Sequence, residues 1–394
     1  VCLVFETVAN YHINKYLTKG IYVISYTKYA QESEEDVYKN AIEMIKDKTG
    51  CDHFIWIGHD IQTGFSAYAL SKMNNDKFGI IFHTDYLATH TNEPSTPMKR
   101  ESGTDYQSKY DKQRVLAQKA DWIFCVGPVV YKSFKIFETA KEIIPGLDVQ
   151  KRETVGCNTI LTAGRFDLNN GYQKNWPDVY YAIGEALDIL KDKGKSPGDY
   201  RVIVYGFNEE IENNKLEEMK KNAIDEISKK SRHNIKPIMD FVHFDSERKE
   251  YLKAVSQSGI FVMSSGIESF GLVAWEAMGM GIPIVISENS GIYQYMKKEL
   301  GYLLRGLCGS FEAATGDMDK TIGQSIADIL NSGDAIKPST ELLQKEMSKR
   351  NKWETLAIDI AQTIGVPNVM KPDIFQNQNC FEFTYAERRL MLEE

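Results

Sequence analysis

Residues 259–288 read GIFVMSSGIESFGLVAWEAMGMGIPIVISE, and they decide how the rest of the chain is interpreted. The apolar run 260–263 predicts a strand, and the amphipathic segment 272–278 predicts a short helix. Pro283 then opens a second apolar run, 284–286, which predicts another strand. A strand, a tight loop, a helix and a second strand in this order are typical of a parallel α/β sheet.

Two glutamates lie within this unit, Glu268 in the loop and Glu276 in the helix, with seven residues between them. The loop is expected where the carboxyl end of the strand meets the start of the helix, which is where open α/β sheets place ligands. Backbone N–H groups of Phe270, Gly271 and Leu272 would point outward there, with the positive end of the helix dipole behind them. The pattern therefore predicts an anion site, most naturally for a phosphate.

The two acids need a neutral partner, because a carboxylate repels a phosphate. Sugar hydroxyls donate hydrogen bonds to carboxylate oxygens. Glu276 lies a little over one helical turn past Gly271, so both acids can face one bound ligand. A nucleotide-sugar satisfies both requirements, with its diphosphate at the helix end and its hydroxyls at the acids.

The segment ESFGLVAWE followed by AMGMGIPIVIS resembles the E-x7-E signature of retaining glycosyltransferases of family 4. Sucrose synthase, and more loosely glycogen synthase, are related to this family. The resemblance implies the GT-B architecture, an α/β fold with two Rossmann-like domains facing across a cleft. The alternative is an ordinary buried βαβ unit with two acids at its rim.

Composition is compatible with this interpretation. The chain has 394 residues, of which 42% are hydrophobic and 26% charged, with a net charge of −8, which disfavours non-specific nucleic-acid binding. No apolar run of eighteen residues predicts a transmembrane segment, and no signal-peptide pattern opens the chain. Six scattered cysteines without a C-x-x-C pair predict a cytoplasmic protein. Whether residues precede Val1 is left open.

The first 150 residues alternate apolar and helical segments, which predicts a parallel sheet and a first, acceptor-side domain over 1–150. The predicted strands are 2–5, 22–26, 54–57, 78–82 and 122–126, and the predicted helices are 32–46 and 114–120. The polar stretch 88–111 is expected to be a long loop. It is either an acceptor loop or lid, or solvated surface.

Two histidines follow predicted strands of this domain. His59 lies in GHDIQTG, which resembles the glycogen synthase side of the family, and His83 lies in FHTDY. The second segment resembles the loop whose histidine approaches the donor sugar. A lone histidine is more often a structural residue than a catalytic one, so both interpretations stay open.

The second half resembles the family more extensively. Residues 144–148, IPGLD, resemble the interdomain segment, and they predict a linker over 146–157, a donor domain over 151–345 and a final part over 346–394. That final part begins with a helix, containing Trp353, that crosses back to the first domain. AGRF at 163–166 resembles the element in which an arginine and a lysine hold the diphosphate; these correspond to Arg165 and Lys174. Gly127 replaces the serine usual at its position.

The resemblance implies a role for each candidate residue. Glu268 would bind hydroxyls of the transferred sugar, His83 would approach the sugar, and Glu276 would bind the ribose. Arg165, Lys174 and the amides of 269–272 would hold the diphosphate. The catalytic candidates are thus His83, Arg165, Lys174 and Glu268, and the binding candidates are Ser269, Phe270, Gly271, Leu272 and Glu276.

The expected donor is a UDP- or GDP-sugar, and the acceptor is an unidentified carbohydrate, lipid, protein or small molecule. No metal requirement is expected, because the D-x-D sequence at 317–319 precedes a predicted helix and is better explained as a cap. Other functions remain open: a phosphorylase or hydrolase of the same fold, or a non-catalytic module that binds sugar nucleotides.

Overall fold

The computed structural model describes residues 2–4, 23–25, 33–87, 104–150, 158–166, 176–207, 213–243, 249–263, 268–301, 309–311 and 321–366. Lys174, most of the predicted linker and the D-x-D sequence lie outside these ranges. All statements about the structure concern the described residues.

The first half forms two parallel sheets, one of two strands and one of four, with helices between the strands of the larger sheet. Its strands are β1 (Cys2–Val4), β2 (Val23–Ser25), β3 (Ile55–His59), β4 (Lys77–Phe82), β5 (Trp122–Val126) and β6 (Ala140–Ile143). Its helices are α1 (Glu34–Thr49), α2 (Asp60–Met73), α3 (Thr104–Lys119) and α4 (Gly127–Phe134). Strands β3 to β6 pair in sequential order, and β1 and β2 pair with each other. We call the β3–β6 sheet the first sheet.

The second half forms a larger parallel sheet, the second sheet, in the order β12-β11-β10-β7-β8-β9. The strands are β7 (Thr159–Phe166), β8 (Arg201–Phe207), β9 (Ile238–His243), β10 (Ile260–Met263), β11 (Ile284–Ser287) and β12 (Gly309–Phe311). The helices are α5 (Trp176–Asp192), α6 (Asn213–Lys230), α7 (Lys249–Ser256), α8 (Leu272–Gly279), α9 (Gly291–Leu300), α10 (Ile322–Ser332), α11 (Lys337–Arg350) and α12 (Trp353–Thr363).

The predicted strand–loop–helix–strand unit is confirmed, and so are the two parallel sheets. The predicted loop over 88–111 is wrong in part, because α3 begins at Thr104 and residues 104–111 are helical. This helix is mostly polar and buries few side chains, among them Gln113, Leu116 and Ala117. A polar helix of this kind lacks the apolar periodicity by which helices are predicted.

Buried side chains from both halves meet in one hydrophobic cluster. It combines Phe124, Val126 and Leu147 of the first half with Trp275 and Met278 of α8. The indole N–H of Trp275 also donates to the carbonyl of Gly146 at 3.1 Å. The two sheets are therefore joined by a continuous apolar core rather than by polar contacts alone.

Helix α12 packs back onto the first half of the chain. The indole N–H of Trp353 donates to Asp148 at 3.1 Å, and the ammonium of Lys141 lies 2.6 Å from a carboxylate oxygen of Asp359. These contacts hold the end of the described chain against β6 and the segment that follows it.

Helix α4 packs against α9, and a glycine permits the closest approach nearby. Gly127 begins α4 with a φ of +83°, a conformation that favours glycine. A Cβ at this position would lie 2.6 Å from Cδ2 of Phe270 in the second half. The absence of a side chain at Gly127 therefore permits the packing of the Phe270 ring against the first sheet.

We predict that Gly127→Ala lowers the free energy of unfolding by about 2–4 kcal/mol, because it adds a steric clash to an unfavourable φ. Gly50→Ala is the matched control, since Gly50 also has a positive φ, +67°, but a Cβ there would meet no atom within 4 Å. Its expected cost is about 1–2 kcal/mol. Urea unfolding of both variants measures the difference, and equal losses would contradict the contact with Phe270.

Candidate functional site

The loop that carries Glu268 is fixed to the start of α9. Glu268 forms a parallel bridge with Ser290, and its carbonyl accepts from the N–H of Gly291 at 2.9 Å. The carbonyl of Phe270 accepts from the N–H of Ile292 at 2.7 Å. A Cβ on Gly291 would lie 2.0 Å from the carbonyl oxygen of Ser269, so only glycine permits this approach. The loop is thus held in one position at the carboxyl edge of the second sheet.

Gly271 turns this loop into α8. It has a φ of +102°, and a Cβ there would lie 2.9 Å from Cε of Met263. The first amides of α8 have no acceptor within the helix, so they are available to an anion. Glu268 and Glu276 are partly buried, whereas Ser269 and Phe270 are buried.

Arg165 lies near the carboxyl end of β7, at the same edge of the second sheet as Glu268. The β7–β8 register is irregular between Ala163 and Phe166, as at a bulge that redirects a strand end. Gly206 of β8 accommodates this irregularity, since a Cβ there would lie 2.1 Å from the carbonyl oxygen of Gly164.

The first sheet brings two histidines together at its own carboxyl edge. His59 ends β3 and His83 follows β4, and these strands are neighbours. Nδ1 of His59 lies 2.9 Å from Nε2 of His83, and the two rings meet edge to edge, with centroids 5.2 Å apart and planes 12° apart. Both side chains remain partly accessible.

Burial keeps both imidazoles uncharged at neutral pH. It lowers the pKa of His59 to about 4. Burial, and secondarily the neighbouring His59, lowers the pKa of His83 to about 3. In a neutral pair one ring nitrogen donates the shared hydrogen bond and the other accepts it.

The carboxyl group of Asp60 contacts the backbone of His83. Each of its carboxylate oxygens lies 3.2 Å from the backbone nitrogen of His83, which donates to them. The side-chain amide of Gln113 donates to Asp60 at 3.2 Å and to the carbonyl of Thr84 at 2.7 Å. Burial raises the pKa of Asp60 to about 7, although these donors partly oppose the shift.

One hydrogen bond joins the two edges. The backbone N–H of Asp85 donates to the hydroxyl of Ser269 at 3.2 Å. The buried Asp85 carboxylate accepts from the hydroxyl of Ser133 and from the backbone N–H of Leu87. Asp85, two residues after His83, therefore contacts Ser269, the residue after Glu268, between the first and second sheets.

The structure thus places most candidates in one region. The loop 268–272 and the His83 loop adjoin each other, and Arg165 lies at the same sheet edge as that first loop. Asp60, Asp85 and Gln113 were not among the candidates. Both aspartates lie inside the quoted motifs, GHD and HTD, whereas Gln113 carries no local signal in the sequence.

A separate cavity of about 580 Å³ lies at the opposite, amino-terminal edge of the second sheet. Its walls include Asn158, Tyr200, Gly259 and Pro283, each of which precedes a strand. It is not part of the site described above. Among the described residues, no group of three or more His, Cys, Asp or Glu side chains is arranged to hold a metal ion.

These two parallel sheets, with adjoining carboxyl edges, form the GT-B architecture. The profile of the family described as "Family 4 Glycosyltransferase in conflict systems" matches residues 1–360, and the chain belongs to that family. A search of curated protein sequences found no match. No helix in the described ranges is long and apolar enough to cross a bilayer.

Solved structures share this fold at low sequence identity. HepE from Anabaena, solved in complex with UDP and glucose, is 16% identical with a TM-score of 0.59, over 92% of this chain and 91% of HepE. Sucrose-phosphate synthase from Thermosynechococcus elongatus is 15% identical with a TM-score of 0.58, over 87% of this chain and 82% of that enzyme. The trehalose 6-phosphate synthase of Burkholderia multivorans is 13% identical with a TM-score of 0.53, over 86% of this chain and 77% of that enzyme. The predicted family and architecture are confirmed.

We predict that Asp60→Asn makes stability less dependent on pH. The folded-state pKa of Asp60, about 7, exceeds its ordinary value of 3.8, so the folded protein retains a proton that the unfolded chain releases. The stability of the parent relative to the variant should therefore fall as pH rises from about 4 to 7, by a few kcal/mol, and level off above pH 7. Urea unfolding at pH 5 and pH 8 tests this; a pH-independent difference would show that Asp60 is already ionised at pH 5.

Proposed function

We propose that this protein is a retaining glycosyltransferase that moves a sugar from a UDP- or GDP-sugar to an acceptor. The observation that carries the proposal is the junction of the two sheet edges, where the Asp85 amide bonds to Ser269. It places the loop of His83 beside the loop of Glu268, as a donor bound between two domains requires. The complex of HepE with UDP and glucose supports a UDP-sugar as the first donor to test.

In this proposal the second sheet holds the donor. The diphosphate binds to the amides of 269–272 at the start of α8, assisted by Arg165 and Lys174, because fixed cations and N–H groups stabilise a leaving group that gains negative charge. Glu268 accepts hydrogen bonds from hydroxyls of the transferred sugar, and Glu276 accepts them from the ribose. The hydroxyl oxygen of Ser269 accepts from the N–H of Asp85, and its own O–H can still donate a hydrogen bond.

The proposed reaction breaks the bond between the anomeric carbon and the diphosphate oxygen and forms a bond from that carbon to the acceptor oxygen on the same face. The acceptor proton passes to the departing phosphate oxygen. No enzyme nucleophile is required, and the anomeric configuration is retained. His83 approaches the sugar from the first domain, and contact between the domains excludes water, which would otherwise compete as acceptor.

The remaining expectations stay predictions. The proposed domain boundaries are 1–150, 151–345 and 346–394, and the proposed location is cytoplasmic. A phosphorylase or hydrolase of the same fold would use phosphate or water as the acceptor and is distinguished by its products. A non-catalytic module would bind a sugar nucleotide without turnover.

We predict that one of UDP-, GDP- or ADP-sugars raises the melting temperature and releases nucleoside diphosphate. Glu268→Gln and Arg165→Ala should each lower kcat by about 100-fold or more, because each removes a contact to charge or hydroxyls in the transition state. Glu217→Gln is the control: this glutamate is 72% exposed on α6 and should leave turnover unchanged.

Proton NMR of the product then reports the anomeric configuration. Retention of the donor's configuration supports the mechanism, whereas inversion contradicts it. If no sugar nucleotide binds, the fold assignment still stands, but the proposed donor site is wrong.

A further inference from the structure

Two consecutive residues, His59 and Asp60, both contact His83. Successive side chains of a strand point to opposite faces of a sheet, so neighbours do not normally reach the same partner. The chain achieves this because Asp60 has a φ of +45°, a left-handed conformation that is rare outside glycine. Such strain persists only where surrounding contacts impose it, and it concentrates at functional sites.

The two contacts reach different parts of His83. The imidazoles of His59 and His83 meet edge to edge, through a hydrogen bond between Nδ1 of His59 and Nε2 of His83 at 2.9 Å. Asp60 receives the backbone N–H of His83 on both carboxylate oxygens. The ring and the main chain are therefore held separately.

Gln113 extends this support to the next residue. It is fully buried, and its amide nitrogen bridges Asp60 and the carbonyl of Thr84. Asp85, one residue further along, carries the bond to Ser269. The loop 83–85 is thus attached at one end to His59 and Asp60 and at the other end to the second domain.

We propose that His59 and Asp60 are positioning residues that act together as a two-point clamp on His83, leaving Nδ1 as the imidazole nitrogen that faces the donor sugar. Nε2 of His83 is occupied by His59, and Nδ1 makes no hydrogen bond to any residue that the structure describes, so Nδ1 is the ring atom left to serve the reaction. His59 couples the tautomer of His83 to its own, since the direction of their shared hydrogen bond determines whether Nδ1 of His83 carries a proton. The expected effect on turnover rests on the proposed function, whereas the geometry of the clamp does not.

The geometry is tested without any substrate. In protein labelled with ¹⁵N-histidine, a scalar coupling across the hydrogen bond should connect Nδ1 of His59 with Nε2 of His83. His59→Phe, which keeps an aromatic ring but has no nitrogen, should abolish it. Absence of the coupling in the parent, or a coupling to Nδ1 of His83, would overturn the proposal.

Turnover is tested with the sugar nucleotide identified by the donor screen. His59→Phe and Asp60→Gly should each lower kcat by about 10- to 100-fold, as expected for a misplaced group, with the KM for the donor within about threefold of the parent. His59→Asn, whose side chain carries a hydrogen-bonding atom near the position of Nδ1, should restore part of kcat. A merely structural role would not produce this rescue.

The matched control is Asn75→Gly. Asn75 also has a positive φ, +55°, but it is exposed in the turn after α2. Both glycine variants relieve backbone strain, but Asp60→Gly also removes the acceptor of the His83 N–H and of the Gln113 amide, so it should lower the melting temperature whereas Asn75→Gly should keep or raise it. Only Asp60→Gly should lose activity. Parent-like kcat in His59→Phe and Asp60→Gly would overturn the proposal. Should Asp60→Gly not fold, Asp60→Asn replaces it, with the same expected loss of kcat.

If no sugar nucleotide is turned over, the proposed function is wrong, but the ¹⁵N coupling between His59 and His83 still tests the clamp. If turnover is found but the coupling is absent, the clamp fails while the proposed function stands.

Discussion

The backbone of Asp85 donates to the hydroxyl of Ser269, and this contact sets the geometry of the whole site. A single hydrogen bond of this kind contributes only about 1 kcal/mol, so it aligns the two halves rather than holding them together. Cohesion comes from the apolar cluster shared by both halves, in which Trp275 and Phe270 are nearly fully buried. The small size of Gly127 permits this packing, and the packing brings the two polar edges within hydrogen-bonding distance.

The two edges have complementary electrostatic roles. At the second sheet, the amides at the start of α8 offer positive potential to an anion, in a protein whose net charge is −8. At the first sheet, burial keeps the imidazoles of His59 and His83 neutral. A neutral imidazole presents a hydrogen-bonding atom without adding a cation that would compete with the start of α8 for an anion.

The structure of the second half was predicted well because the patterns that indicate it are local in the sequence. Apolar runs, Pro283 and the E-x7-E spacing each lie within thirty residues, and the strand–loop–helix unit follows from them. The first half was harder, since α3 is too polar to show an apolar period and β6 is short. The pairing of His59 with His83 depends on two strands being neighbours, and the role of Gln113 depends on tertiary packing. No local pattern encodes either contact.

A crystal structure of the protein with UDP is the measurement that tests the proposed donor site most directly. We expect the diphosphate at the amides of 269–272, the ribose hydroxyls at Glu276, and the space for the sugar between Glu268 and His83. UDP bound elsewhere, for example in the cavity at the amino-terminal edge of the second sheet, would contradict that site.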